Sequence, residues 1–299
     1  MNFMFQYPEV HGSEGDLLDS GAVGEVAIAL ERAGWHGMAF TEHPAPGTRW
    51  LHRGGHQSLD PFVALGGVAT VTTRLRLLTY LAVLPYRNPL LLAKAAMTVD
   101  RLSQGRFILG VGTGYLKGEF KALGVDFEER NALFDEALDA LALHWSGEPF
   151  SFEGRHFEAR DIQALPRPAQ DPIPVWIGGN ARITLRRVAE RGHGWMPLLG
   201  PDAMYATTRT PNPGSESEIG ATIERLKRDA AGREVELDFA LSYSDPSLAE
   251  SGVDIERHRE AFARLEAIGC TWVIVNRPAG EPGEILDFIE RFAATYLRA

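Results

Sequence analysis

A barrel of eight parallel strands wrapped by helices, the (β/α)8 or TIM barrel with insertions, is the fold class this sequence predicts. Three observations predict it. Strand and helix signals alternate from one end of the chain to the other. The central strand candidate, Leu75 to Leu84, is a nearly continuous apolar run, as a parallel strand covered on both faces should be. About eight strand–helix pairs fit into 299 residues, a size that suits this barrel. A doubly wound open sheet usually needs fewer units. No Ser/Gly tether, charge block, low-complexity tract or short repeat divides the chain, so residues 1–299 read as a single domain.

The elements follow in order. Asn2-Phe3-Met4-Phe5-Gln6 is the first strand. Glu25 to Ala33 reads as a helix with Val23, Val26, Ala27 and Leu30 on one stripe, closed by Gly34. Gly37 to Thr41 is the second strand. Asp60 caps the next helix, with Pro61 at its first position. Leu75 to Leu84 is the third strand, and Pro89 opens a helix that Gly105 ends. Phe107 to Val111 is the fourth strand, followed by a long helix from Glu128 to Trp145. Phe150 to Phe157 looks like a small inserted hairpin with a Glu-Gly turn. Pro174 to Ile177 and Gly194 to Met196 are strands five and six, with a helix through Val188 between them. A Pro/Gly/Thr-rich loop, 198–214, precedes the helix Ile219–Ala231. Glu236 to Leu241, the helix Arg257–Ile268, Thr271 to Val275 and a last helix bearing Ile285, Phe288, Ile289, Phe292 and Tyr296 complete the series.

Composition narrows the function. Hydrophobic residues make up 44% and charged residues 23% of the chain, the balance of a soluble globular protein. A net charge of -10 repels phosphate backbones and anionic lipid, which argues against nucleic acid and membrane partners; a small-molecule substrate is expected. One cysteine, Cys270, excludes an internal disulfide and fits a reducing compartment. With no secretory leader and no apolar span long enough for a bilayer, a cytoplasmic location is expected.

The candidate chemistry starts at Thr41-Glu42-His43. An acid and an imidazole leave a buried strand side by side, and in a barrel that end opens onto the catalytic face. Gly110-Val111-Gly112-Thr113-Gly114 lacks the third glycine of a dinucleotide fingerprint, since Tyr115 takes its place, and it lies on the fourth strand rather than the first. Its glycines instead allow a flat ring or phosphate tail to approach the backbone, or simply make a tight turn. Gly178-Gly179-Asn180-Ala181-Arg182 joins a strand to a helix start, a natural phosphate cradle to which Arg182 adds charge, with His193-Gly194-Trp195 just beyond. A strand–helix turn with two glycines is the plainer reading. His52 and His56 are separated by Arg53-Gly54-Gly55 and lack a third ligand, so no metal site is expected. Paired strand-end carboxylates of a glycosidase, a nucleophile elbow and a Walker loop are all missing.

Three ordered segments resemble the bacterial luciferase-like superfamily, and within it the coenzyme F420 (deazaflavin)-dependent oxidoreductases. They are Ala33 to His43; Leu75 to Pro89, continuing to Asp100-Arg101-Leu102-Ser103-Gln104-Gly105-Arg106; and Gly110 to Gly114 with Glu119-Phe120, Gly124 and Glu129-Arg130. The resemblance implies a coenzyme ring across the C-terminal mouth of the barrel, Glu42 at the ring's polar edge and His43 as proton donor or acceptor. Imidazole suits that task near neutral pH. It also implies a cis peptide at Tyr80-Leu81 behind the ring, Gly112, Thr113 and Gly114 beside it, and the tail phosphate at Gly178-Gly179-Asn180 near Trp195. Relatives acting on a phosphorylated sugar place a glutamate where this chain has Tyr115, which argues against such a substrate. Trp50, Tyr115, Trp195 and Met196 suggest a fairly apolar one, and Glu119 reads as the anchor of the following helix. An FMN-dependent monooxygenase of the same superfamily and a flavin-binding protein without turnover are the alternatives. Loops 45–58 and 198–214 are candidate lids, and the resemblance favours a homodimer.

Overall fold

Eight strands pair in chain order and close on themselves. The computed structural model describes residues 1–250 and 252–297. The strands are β1 (Asn2–Gln6), β2 (Gly37–Phe40), β3 (Arg76–Thr79), β4 (Phe107–Gly112), β5 (Val175–Gly178), β6 (Gly194–Met196), β7 (Asp238–Tyr243) and β8 (Trp272–Val275). Every pairing among them is parallel, and β1 against β8 closes the ring. The flanking helices are α1 (Val23–Ala33), α2 (Pro61–Val71), α3 (Pro89–Leu102), α4 (Arg130–Ser146), α5 (Arg182–Arg191), α6 (Glu216–Asp229), α7 (Ile255–Ala267) and α8 (Pro282–Phe292). This is the expected (β/α)8 barrel.

Strand alternation sorts the core into two layers. Met4, Leu78, Ile108, Trp176, Met196 and Ile274 fill the barrel. Phe5, Trp35, Leu77, Trp195 and Phe288 belong to the larger layer between strands and helices. There Trp35 stacks on Phe292 with ring centroids 4.4 Å apart and donates its indole N–H to the Ile289 carbonyl at 3.1 Å. That contact ties α1 to α8.

The expected caps are present. Asp60 accepts from the Phe62 and Val63 amides ahead of Pro61, and Gly34 ends α1 at φ 99°. Three details differ from the sequence reading. The run 75–84 is not one strand: β3 stops at Thr79 and a two-residue continuation, Ala82–Val83, pairs with β4. The hairpin extends beyond Phe157, with strands Phe150–Glu153 and Glu158–Ile162. Loop 198–214 contains a short helix, Asp202–Thr208, that no side chain caps and that therefore left no start signal. No helix among the described residues is long and apolar enough to cross a membrane.

Candidate active site

His43 stands three residues past β2, on the C-terminal face. Its backbone is pinned from both sides by Ser58: the His43 amide donates to Ser58 Oγ at 2.7 Å, and the Ser58 hydroxyl donates to the His43 carbonyl at 3.2 Å. The imidazole Nδ1 lies 3.1 Å from Glu119 Oε2. Glu119 is completely buried and also accepts from the Tyr86 hydroxyl at 2.9 Å and the Ala45 amide at 3.1 Å. A carboxylate only accepts, so it selects the tautomer with the proton on Nδ1. Nε2 is then the basic nitrogen, and no described protein group bonds it. Burial, reinforced by the Glu119 charge, pushes the Tyr86 phenol far up, so it serves Glu119 purely as a donor.

Aromatic rings surround this imidazole. Trp50 lies 4.4 Å from it between centroids, His56 5.0 Å and Tyr115 5.9 Å. Trp50 comes from a short helix, Thr48–Leu51, inside the 45–58 loop. Gly55 makes its position possible, because a Cβ there would fall within 2.6 Å of the Trp50 ring. Burial lowers the pKa of His56, partly offset by the Glu9 carboxylate.

Glu42 faces the other way. It is 4% exposed, Oε2 accepts from the Val83 amide at 2.6 Å, and Oε1 pairs with Arg87, whose second nitrogen reaches Asp60 at 2.6 Å. Burial raises its carboxyl above the usual range while Arg87 opposes the shift. Both oxygens thus bond at the joint between the two parts of strand three.

At that joint the Tyr80–Leu81 peptide is cis, the isomer the resemblance implied. Both side chains are half-buried and pack on the barrel filling. The Tyr80 hydroxyl engages Ser242 across the mouth, and burial pushes its pKa up to about 12. Leu81 accounts for two glycines expected to approach a ligand. A Cβ on Gly112 would lie 2.6 Å from a Leu81 methyl, and one on Gly178 would overlap Leu81 still more. Gly114 sits at φ 74° with Val83 and Phe120 against it, and Thr113 is half-buried beside it.

The 178–182 segment is also occupied by protein partners. The Gly179 amide donates to the Met196 carbonyl at 3.0 Å, and Trp195 Nε1 donates to the Gly179 carbonyl at 2.8 Å. Asn180 fastens loop 198–214: its Nδ2 donates to the Leu198 and Pro211 carbonyls at 2.9 Å, and its Oδ1 accepts from the Leu198 amide. No side chain caps α5, so its first-turn amides stay available. Three further residues named from sequence lie around this segment and strand. Trp195 is 1% exposed in the outer layer, because alternation along β6 turns Met196 inward and Trp195 outward. Arg182 is exposed and lines a groove between α5 and α6 with Arg186 and Arg225. His193 precedes β6 at the closed end, where it accepts from the Val175 amide and burial lowers its pKa to about 4.

Sequence reasoning missed a cavity of about 640 Å³ over the ends of β1, β7 and β8, walled by Gln6, Glu9, Ser242, Asn276, Arg277 and Met204 among others. His43 is not on its wall; Glu9 and His56 connect the two. Glu9 Oε1 accepts from Gln6 Nε2 at 2.6 Å and lies 3.4 Å from His56 Nε2. The available signal was position, since Gln6, Asn276 and Arg277 all lie at strand C-terminal ends. Among the described residues, no three His, Cys, Asp or Glu side chains converge as a metal site requires.

Comparison with known proteins agrees with this architecture. Residues 2–244 match the luciferase-like monooxygenase family. The chain is 30% identical over 292 residues to the F420-dependent glucose-6-phosphate dehydrogenase of Segniliparus rotundus, covering 89% of this chain and 82% of that one. A protein of the same description from Gordonia bronchialis is 27% identical over 281 residues, covering 85% and 80%. Among solved structures, a monooxygenase from Streptomyces bottropensis superimposes with a TM-score of 0.76 at 22% identity, covering 99% of each chain. An F420-dependent secondary alcohol dehydrogenase in complex with an F420–acetone adduct gives 0.74 at 16%, covering 99% and 98%. At these identities the two structures establish the shared fold. By the family match over most of its length, this chain is an oxidoreductase belonging to the luciferase-like monooxygenase family.

Proposed function

We propose that this oxidoreductase moves a hydride between coenzyme F420 and a small, largely apolar organic substrate, with His43 as proton donor or acceptor. The observation that carries this reading is the Glu119–His43 pair: a fully buried carboxylate 3.1 Å from Nδ1, with Nε2 left without a protein partner. Mere binding of a ring does not call for an imidazole held in one tautomer.

The residues fit a flat coenzyme. Tyr80 and Leu81 form a half-buried, largely apolar platform on the barrel filling, beside Gly112, Thr113 and Gly114. The uncapped first turn of α5, after Gly178-Gly179, offers amides to a tail phosphate. Bound there, the deazaflavin supplies a carbon that takes or gives the hydride. Oxidation of a hydroxyl-bearing carbon releases a proton that His43 Nε2 accepts, and reduction of a carbonyl reverses that transfer. Glu119 keeps Nδ1 protonated in the neutral imidazole, and Trp50 and Tyr115 shield the site from water. In this reading Glu42 positions strand three through Val83 and Arg87, and the enzyme works as a homodimer, which sedimentation velocity checks. The description of two sequence relatives as F420-dependent supports F420, while the solved structures sharing the fold include both F420 and FMN enzymes.

His43→Ala tests the reading. We expect turnover with F420 to fall by roughly 10²–10⁴-fold while coenzyme binding persists. Unchanged turnover would remove His43 from the mechanism.

A further inference from the structure

The far side of the mouth holds a cation whose one counter-charge is distant and exposed, and whose guanidinium lies over the Phe288 ring at 5.5 Å. Arg277 lies two residues past β8 and lines the 640 Å³ cavity, where it is the only lysine or arginine among the described residues of the wall. Its side chain is 9% exposed, yet Nε and Nη1 are buried with no hydrogen-bond partner. The nearest carboxylate, Glu284, is 63% exposed and no closer than 4.0 Å to Nη2. A guanidinium does not shed its proton to escape such a site, so one held by a single long, exposed ion pair favours an anion. Two acceptors on the same wall are also unsatisfied: Gln6 Oε1 and Asn276 Oδ1 are buried without donors. The Gln6 amide is oriented by its Nε2 bond to Glu9 at 2.6 Å, which leaves Oε1 as a buried acceptor in want of a donor.

We infer that Arg277 holds the carboxylate of a substrate whose neighbouring hydroxyl donates to Gln6 or Asn276, which makes the substrate class a hydroxy acid, or the corresponding oxo acid in the reverse direction. A carboxylate matches the guanidinium fork with one charge against one. A phosphate dianion would bring two charges to a wall that offers one cation and the Glu9 carboxylate. The apolar body of such an acid would extend toward Tyr80, and onward to Trp50 and Tyr115. That the anion is the redox substrate rests on the F420 reading above; the subsite itself does not.

The test is calorimetric titration of the full chain, without coenzyme, with mandelate, mandelamide and inorganic phosphate as probes. Mandelate carries the carboxylate, the hydroxyl and an apolar ring, and mandelamide differs only in lacking the charge. Mandelate is expected to bind at least tenfold more tightly than mandelamide and more tightly than phosphate. Arg277→Met is expected to lower mandelate affinity at least tenfold, with an unliganded melting temperature near that of the wild type. Equal affinity for mandelate and mandelamide, no binding of either, tighter binding of phosphate, or wild-type affinity in Arg277→Met overturns the proposal. The comparison of mandelate with mandelamide on the wild type decides the matter even if the variant does not fold. Mandelate binding without F420 binding would leave the subsite standing and remove the coenzyme reading; the opposite result would remove the subsite alone.

Discussion

Glu119 shows how one buried carboxylate gives a neighbour its function. It sits 76 residues beyond His43 in the chain, yet it holds that imidazole, the Tyr86 hydroxyl and the Ala45 amide at once. Glu119→Gln keeps the shape and removes the charge. A hydrogen bond to a charged group contributes about 1.5–3 kcal/mol, so kcat should fall roughly ten- to a hundredfold. KM and coenzyme affinity should change little, and Glu119→Asp should recover part of the loss. A loss confined to KM would contradict a role in orienting His43. The sequence displayed Glu119 only as a polar residue at a helix start, because nothing in local spacing reports a contact across 76 residues. His43 was legible for the opposite reason: its place just after a short buried strand is a local property. Glu42 shared that place, and only the coordinates reveal that its oxygens turn to Val83 and Arg87.

At the level of elements, loops tie the barrel together by capturing backbone donors. Glu31 on α1 accepts from the Thr73, Arg74 and Leu75 amides where the chain enters β3. Although desolvation raises its pKa, these bonds to Arg74, Leu75 and Thr73 bring it down to about 2. A depressed carboxyl contributes stability above its unfolded pKa and loses it as pH falls through the folded one. Wild type should therefore lose denaturant resistance from about pH 4.5 down to about pH 2 more steeply than Glu31→Gln, as urea midpoints at several pH values would record. Parallel slopes would mean the three amides do not need the charge. The loop over His43 makes a second case. Gly55→Ala would drive a methyl into the Trp50 ring and displace it from His43, so KM should rise several-fold with little change in melting temperature. The strands themselves were readable as short apolar runs. The interruption at Tyr80-Leu81 was not, because the residues from Leu75 to Leu84 are apolar almost throughout and only the family resemblance marked the spot. The outward turn of Trp195 was unreadable for a related reason. A strand of three residues offers too short an alternation to tell its faces apart.

Across the whole molecule, the mouth divides into two regions. The platform of Tyr80 and Leu81 lies over β3 to β5, and the cavity with Arg277 lies over β7, β8 and β1. Both rest on a barrel closed by β1 and β8, outside which Trp35 is 4% exposed and stacked on Phe292. Trp35→Ala should cost about 3–5 kcal/mol, seen as a lower melting temperature, without changing the coenzyme bound. Whether a deazaflavin occupies this mouth is decided by equilibrium titration of the purified protein with F420 and with FMN, followed by fluorescence quenching. Saturable binding of F420 and much weaker binding of FMN are expected. Tight FMN binding with none of F420 would contradict a deazaflavin in the mouth.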